Sequence, residues 1–365
     1  MQTSREVVDA IIRKKPAERM GFHDSPWGDA LTKWVADEGY PKDEKGDPVS
    51  PVDYFGFDLA GGGGWFDVMP LRGVREVVEE TEDWETTRNG AGAALKYWKH
   101  KSGTPEHIDF RMTSREVWER DYRPHLLELD RARLDVEATR KELEKRRAQG
   151  RWTFYGHLFV FELMRCSMGD YCMYESLVAD PDWVHDYNRV YTDFYKIYFK
   201  ILIEEAGKPD GVWLYEDLGY NKGLICSPAT LENVIFPYYK EIVDFLHSYD
   251  LPVVLHSCGG ITQALPLIVE AGFDALHPME AKAGCDVVRF MEQYGDRLAF
   301  IGGMDARIIE SGDRKRIRDE VVRLTSAARA TGAGYVFGSD HSLSTNVRLA
   351  DFEYAVEVYK ENMWY

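Results

Sequence analysis

The sequence lacks the features that would place the protein in a membrane or on nucleic acid. No apolar run approaches the roughly 18 residues that a spanning helix needs, and the first residues lead into a charged amphipathic segment instead of an apolar signal region. Acidic residues outnumber basic ones: the chain has 62 Asp and Glu and 45 Lys and Arg, which gives a formal net charge of −17. Nucleic acids and anionic membranes attract basic surfaces. We therefore expect a soluble, cytoplasmic protein that binds neither.

Cysteine is scarce, and the glycine motifs of nucleotide-binding proteins are missing. The five cysteines form no Cys-x-x-Cys pair, and an odd number of thiols in a long chain predicts a reducing compartment without a disulfide framework. Residues 61–64 are all glycine, but no Gly-Lys-Ser/Thr follows them, and no Gly-x-Gly-x-x-Gly turn opens a helix. A phosphate-binding loop and a dinucleotide-binding fold are therefore unsupported.

Beyond residue 150, short apolar strand-like segments alternate with helical segments. Alternation at this spacing is typical of parallel βα units. With two more strands from the N-terminal part, these units predict one α/β domain over 1–365, a closed (β/α)8 TIM barrel. An open doubly wound sheet is the alternative. The predicted strands are 152–161, 212–215, 252–255, 274–277, 298–302 and 335–338, and the predicted helices are 182–206, 227–247, 261–271, 286–294, 314–330 and 351–362.

Residues 1–150 carry a different pattern, which predicts a lid, accessory strands and a long helix. A short helix at 5–14 precedes an irregular stretch with an aromatic cluster around Phe22, His23, Trp27 and Trp34, which we interpret as a lid over the main body. Segments 74–80 and 107–112 suggest an antiparallel accessory sheet. Segment 114–149 is mostly charged and predicts one long helical excursion. That helix could contact a second copy and form a homodimer.

The most informative segment for function is 252–260, Pro-Val-Val-Leu-His-Ser-Cys-Gly-Gly. Its apolar run predicts a short buried strand that ends at His256 and Cys258. Residues two apart in a strand point to the same side, and imidazole and thiolate are preferred zinc ligands. Taken alone, the pair could equally be a buried thiol beside a hydrogen-bonded histidine.

The other predicted strands also end in groups that could do chemistry. In a parallel barrel the active site lies at the C-terminal ends of the strands. Barrel geometry would bring Glu216, His256, Cys258 and His341 together as a tetrahedral zinc set with a labile carboxylate. Asp305 and Asp340 are candidate catalytic acids, and each could equally be a helix cap.

Six segments carry a resemblance to a known family. They are Lys-Pro-Ala-Glu-Arg-Met at 15–20, Tyr-Glu-Asp-Leu-Gly at 215–219, Leu-Ile-Cys-Ser-Pro at 224–228, His-Ser-Cys-Gly-Gly at 256–260, Gly-Gly-Met-Asp at 302–305 and Gly-Ser-Asp-His-Ser at 338–342. In this order and spacing the sequence resembles the uroporphyrinogen decarboxylase superfamily over nearly its whole length. Segment 21–27 lacks the arginine cluster with which the decarboxylase grips propionates, so porphyrinogen decarboxylation is not expected.

The His-x-Cys pair instead resembles the zinc site of the corrinoid-dependent methyltransferase branch. That branch commonly supplies a later cysteine as a third ligand, and His341 is its natural substitute here. The resemblance implies methyl transfer between a small methylated substrate and a cobalamin-carrying corrinoid protein. Zinc, or an acid such as Glu216, would stabilise the leaving group, with Asp305 and Asp340 as further catalytic acids.

An aromatic substrate pocket is also predicted, and it favours an aryl methyl ether and O-demethylation; transfer to a thiol acceptor is close behind. Two other classes stay open. One is a metal-free decarboxylase or lyase that uses Asp305, Asp340 and His341, and the other is a non-catalytic partner of a corrinoid or tetrapyrrole protein. The predicted substrate-binding residues are Trp27, Tyr54, Phe57, Tyr155, His157, Phe161 and Met279.

Overall fold

The strands and helices of the computed structural model, which describes residues 1–365, are numbered in chain order. The strands are β1 (Gly21–Phe22), β2 (Leu59–Gly61), β3 (Arg75–Glu80), β4 (Trp84–Asn89), β5 (Ala93–Trp98), β6 (Glu106–Phe110), β7 (Trp152–Leu158), β8 (Gly211–Tyr215), β9 (Gly219–Tyr220), β10 (Gly223–Leu224), β11 (Val253–Ser257), β12 (Ala275–Pro278), β13 (Ala299–Ile301) and β14 (Tyr335–Phe337). The α-helices are α1 (Ser4–Ile12), α2 (Gly28–Asp37), α3 (Arg115–Val117), α4 (Val136–Ala148), α5 (Val160–Ala179), α6 (Pro181–Ile201), α7 (Pro228–Val234), α8 (Phe236–Ser248), α9 (Leu265–Glu270), α10 (Val287–Tyr294), α11 (Ala306–Glu310), α12 (Arg314–Thr331) and α13 (Leu349–Asn362).

Eight strands form one sheet in which every pairing is parallel, in the order β1-β14-β13-β12-β11-β8-β7-β2. The two N-terminal strands lie at the ends of this order, and Asp58 joins them. Its N–H donates to the carbonyl of Phe22 at 2.7 Å, while its carboxylate accepts the N–H of Phe22 at 2.8 Å and two bonds from Arg19. The sheet is therefore a nearly closed barrel, and the predicted (β/α)8 fold is confirmed.

Helix α1 covers the end of the barrel where the strands begin. Its amphipathic face places Val7, Val8, Ile11 and Ile12 in one buried cluster with the inward-facing side chains of the strands. Thr3 caps the helix in a reciprocal hydrogen-bonded pair with Glu6. Because α1 closes this end, the C-terminal ends of the strands are the end open to a ligand.

The accessory sheet is present and has four antiparallel strands, in the order β3-β4-β5-β6. Predicted segments 74–80 and 107–112 correspond to β3 and β6. The sheet packs against α5, where Phe110 lies over Gly169, a residue whose φ of 76° breaks the helix. The loop between β5 and β6 extends from this sheet to the mouth of the barrel.

The single long helix expected over 114–149 is wrong. The segment instead contains α3, a π-helical turn at Trp118–Tyr122, 3-10 turns at Arg123–Leu126 and Arg131–Arg133, and α4. Pro124 has no N–H to donate to a continuous helix. Asp130 and Asp135 each accept a backbone N–H at the start of a new turn or helix, because aspartate caps helices better than it continues them. No helix of the protein is both long and apolar enough to cross a membrane.

Candidate metal site

A polar cavity of about 460 Å³ opens at the C-terminal ends of the barrel strands. Four histidines, two carboxylates and a thiol line it together with Trp27, and no lysine or arginine does. The loop 103–105 from the accessory sheet forms part of its wall. The charged and soft groups of the lining are His23, Asp24, Asp217, His256, Cys258, His277 and His341.

Strand alternation explains why these groups meet. On β8, Trp213 faces the barrel interior with Val254 of β11, and Tyr215 points the same way, with its ring 5.3 Å from that of His256. Asp217 continues this face beyond the end of β8. His256 and Cys258 continue the face of Val254 in the same manner, because side chains two apart share a side.

Asp217, His256 and Cys258 form a compact donor group whose ligand atoms all lie within 4.8 Å of one another. His256 Nε2 lies 3.4 Å from Cys258 Sγ and 3.6 Å from Asp217 Oδ1. The backbone N–H of Cys258 donates to Asp217 Oδ1 at 2.9 Å, which fixes the carboxylate. One imidazole, one thiol and one carboxylate is a donor set that suits zinc.

Burial determines the protonation of this group. Desolvation raises the pKa of the Cys258 thiol and lowers the pKa of the His256 imidazole, so both side chains are neutral near pH 7 in the absence of a cation. A bound divalent cation favours the thiolate instead. The residues present therefore fit a zinc ion.

Glu216, the carboxylate predicted from the sequence, does not belong to this group. It lies on the opposite face of β8 from Asp217 and is fully buried outside the barrel wall. Its carboxylate accepts the backbone N–H groups of Phe159, Phe161 and Glu162 at the start of α5 and the hydroxyl of Tyr239. Glu216 thus ties β8 to α5 and α8, and Asp217 takes the place in the donor group that the sequence predicted for Glu216.

His341 lines the same cavity, where its ring meets that of Trp27 edge to face at 5.6 Å, but it lies outside the compact donor group. Asp305 and Asp340 do not line the cavity. Asp305 caps α11 and pairs with Arg307. Asp340 accepts the N–H groups of Ala281 and Ala306 at 2.8 and 2.9 Å and so joins two loops.

Of the seven predicted substrate-binding residues, only Trp27 lines the cavity. Tyr155 and His157 alternate with the inward-facing Trp152 and Phe154 and therefore face the surrounding helices. The others also lie elsewhere: Phe161 and Met279 are fully buried, Phe57 is 1% exposed, and Tyr54 bonds Glu353 on α13. Of the aromatic cluster of the expected lid, Phe22 and Trp34 pack on α13, where Trp34 stacks on Phe352, whereas His23 and Trp27 line the cavity.

The position of His157 predicts a pH-dependent stability. It is buried between Trp65 and Phe66, and burial lowers its pKa from 6.5 to about 4. Below about pH 6.5 the imidazole of residue 157 binds a proton in the unfolded chain. In the folded chain it binds that proton only near pH 4. The free energy of unfolding therefore falls as the pH drops from 6.5 toward 4, by up to about 3 kcal/mol for this residue.

Urea denaturation between pH 4.5 and 8 measures this effect. His157→Phe should flatten the pH dependence, whereas replacing the exposed His100 by phenylalanine should leave it unchanged. Identical slopes for the original chain and His157→Phe would contradict the assignment.

Among the titratable residues that line the cavity, four were not chosen as site residues from the sequence: His23, Asp24, Asp217 and His277. Burial lowers the pKa of His23 to about 4 and raises that of Asp24 to about 6, where Ser339 donates to it. Asp217 lies two residues beyond the end of β8, and His277 lies near the end of β12. Both could have been found by following the inward face of their strand by two residues, from Tyr215 and from Ala275. His23 and Asp24 follow the two-residue strand β1, which has no pattern to recognise.

Comparisons with known proteins agree with this fold. Over its whole length the chain is similar to a solved structure described as a methyltransferase from Methanosarcina mazei, with 14% identity, 99% of each chain covered and a TM-score of 0.66. At this low sequence identity, the structural similarity shows a shared fold and no more. An AP endonuclease, family 2, from Brucella melitensis matches at 13% identity over 61% of this chain and 85% of its own, with a TM-score of 0.36, too low to support a conclusion.

Comparison with curated protein sequences gives no match. The family model for uroporphyrinogen decarboxylase (URO-D) matches residues 163–362, which is more than half of the chain and includes Asp217, His256, Cys258 and His341. On that match, this chain belongs to the uroporphyrinogen decarboxylase family.

Proposed function

We propose that this chain is a zinc-dependent methyltransferase that moves a methyl group between a small methylated substrate and a corrinoid held by a separate protein. The observation that carries the proposal is the donor group Asp217, His256 and Cys258 at the mouth of the barrel, with all ligand atoms within 4.8 Å. These three residues would hold the zinc ion. Zinc, when bound, would act as a Lewis acid that stabilises negative charge on a departing oxygen or sulfur.

The lining of the cavity supports a neutral or weakly polar methyl donor. No arginine or lysine faces the cavity, so a substrate with several carboxylates, such as a porphyrinogen, would find no cationic partner. Neutral imidazoles at His23 and His277, whose pKa values burial lowers, offer hydrogen bonds without repelling an apolar methyl group. The support for an aryl methyl ether in particular is reduced to Trp27, the one predicted aromatic residue at the cavity.

The proposed reaction needs access for a second protein as well as for the substrate. A groove of about 1700 Å³ continues outward from the cavity and shares Trp27, His341 and the loop 103–105 with it. In the reaction, the bond between the methyl carbon and oxygen or sulfur breaks, and the methyl group bonds to the corrin cobalt. The departing oxygen or sulfur would keep the electron pair of the broken bond, zinc would stabilise that charge, and the atom would take its proton from solvent.

The test combines zinc-loaded protein, a free corrinoid reduced to the Co(I) state and a panel of methyl donors: an alcohol, a thioether and an aryl methyl ether. Conversion of Co(I) to methyl-Co(III), followed by absorbance, should occur with at least one donor and stop in Asp217→Asn. The reverse direction uses methylcobalamin with a thiol acceptor. Absence of methyl transfer in both directions, with folded and zinc-loaded protein, would overturn the proposal.

A further inference from the structure

His256 and His277 share one hydrogen bond through the same type of ring nitrogen. The two residues are direct neighbours in register on β11 and β12, and their Nδ1 atoms lie 2.6 Å apart. Their ring centroids are 4.8 Å apart with the planes tilted by 36°. Two Nδ1–H groups cannot face each other at this distance, so the pair carries one proton between its Nδ1 atoms.

The location of that proton decides what His256 offers to the metal site. If His256 Nδ1 is the donor, its Nε2 in the neutral ring carries the lone pair, and this atom faces Cys258 Sγ at 3.4 Å and Asp217 Oδ1 at 3.6 Å. If His277 Nδ1 is the donor, His256 Nε2 bears a hydrogen and cannot bind a metal. The metal-binding form of His256 therefore requires His277 to accept.

We propose that His277 is the positioning residue of the metal site: it accepts the Nδ1–H of His256 and thereby sets the tautomer and orientation in which Nε2 binds zinc. The inference rests on the proposed metal site. The ring of His277 is itself held in place, because Trp213 packs against it edge to face at 4.9 Å and His23 lies 6.4 Å away. Removing the hydrogen-bond partner of a metal-binding histidine typically lowers the metal affinity 10- to 100-fold.

The experiment measures zinc affinity by competition with a chromophoric chelator. His277→Phe keeps the ring volume and removes the acceptor, so zinc should bind about 10- to 100-fold more weakly. His277→Asn places a carbonyl oxygen near the position of Nδ1 and should recover part of that loss. His157→Phe is the matched control, because it removes a buried histidine that does not line the cavity, and its zinc affinity should stay unchanged.

Equal zinc affinity in His277→Phe and the original chain would overturn the positioning role and leave the metal site intact. Failure of the original chain to bind zinc would overturn both proposals. Should His277→Phe not fold, nitrogen-15 NMR of the zinc-loaded original chain decides the question through the ring nitrogens of His256. Protonated Nδ1 with metal-bound Nε2 is expected, and metal bound at Nδ1 would refute the proposal.

Discussion

Cys258→Ala is expected to remove zinc from the protein: from about one zinc per chain in the original protein to none after purification without chelators. The variant loses the only thiol of the donor group, and the thiolate is the ligand that zinc holds most firmly among the three types present. Asp217→Asn should keep part of the metal, because an amide oxygen can still coordinate but carries no charge. Metal content by mass spectrometry, set against protein concentration, measures the effect.

Two further variants are compared with Cys258→Ala for zinc content. Cys226→Ala removes a partly buried thiol that does not line the cavity, and it should retain full zinc content. His341→Ala tests the ligand predicted from the sequence: retained zinc defines the set as Asp217, His256 and Cys258, and lost zinc adds His341 to it. Full zinc content in folded Cys258→Ala would contradict the proposed site.

Glu216→Ala is expected to destabilise the fold by about 3–5 kcal/mol, the largest stability effect we predict. The change leaves three backbone N–H groups and the Tyr239 hydroxyl without their acceptor in a fully buried position. A buried donor without a partner costs about 1–3 kcal/mol, less where water can enter. Urea denaturation followed by circular dichroism measures the loss.

The neighbouring acid provides the control for this prediction. Asp217→Asn should change stability by less than about 1 kcal/mol, because Asp217 is partly exposed and keeps an oxygen for the N–H of Cys258. The two variants should therefore differ in what they lose: Glu216→Ala loses stability, whereas Asp217→Asn loses methyl transfer and part of its zinc. Similar stability in Glu216→Ala and Asp217→Asn would show that Glu216 does not hold the barrel to its helices.

The sequence singled out His256 and Cys258 of the candidate donor group, but it grouped Glu216 with them, whereas the structure places Asp217 beside them. Both histidine and cysteine lie on one strand, so their spacing alone places them on one side. Glu216 and Asp217 are adjacent, and one of them must face the helices. Which one does so depends on the register of β8 against β11, where Tyr215 pairs with His256, and an isolated segment carries no record of that pairing.

The sequence also did not show which side of their strand Tyr155 and His157 occupy. Tyr155 and His157 are strand residues in a chain region correctly identified as a strand, but Trp152 and Phe154 occupy the inward positions. All of these side chains are large, so their pattern does not distinguish a face toward the barrel interior from a face toward packed helices. Both faces of a parallel barrel strand are buried, and alternation of apolar and polar residues disappears.

The sequence by itself determined most of the alternating strands and helices after residue 150, the parallel barrel that they indicate and the strand that ends in His256 and Cys258, because each follows from local periodicity and from the alternation of strands and helices. Only the tertiary structure decided that Asp217 is the acid of the site, that His277 lies 2.6 Å from His256, and that His23 and Asp24 complete the cavity. These features depend on pairing register and on closure of the barrel by Asp58. Both are set by contacts between segments up to hundreds of residues apart, which no local pattern encodes.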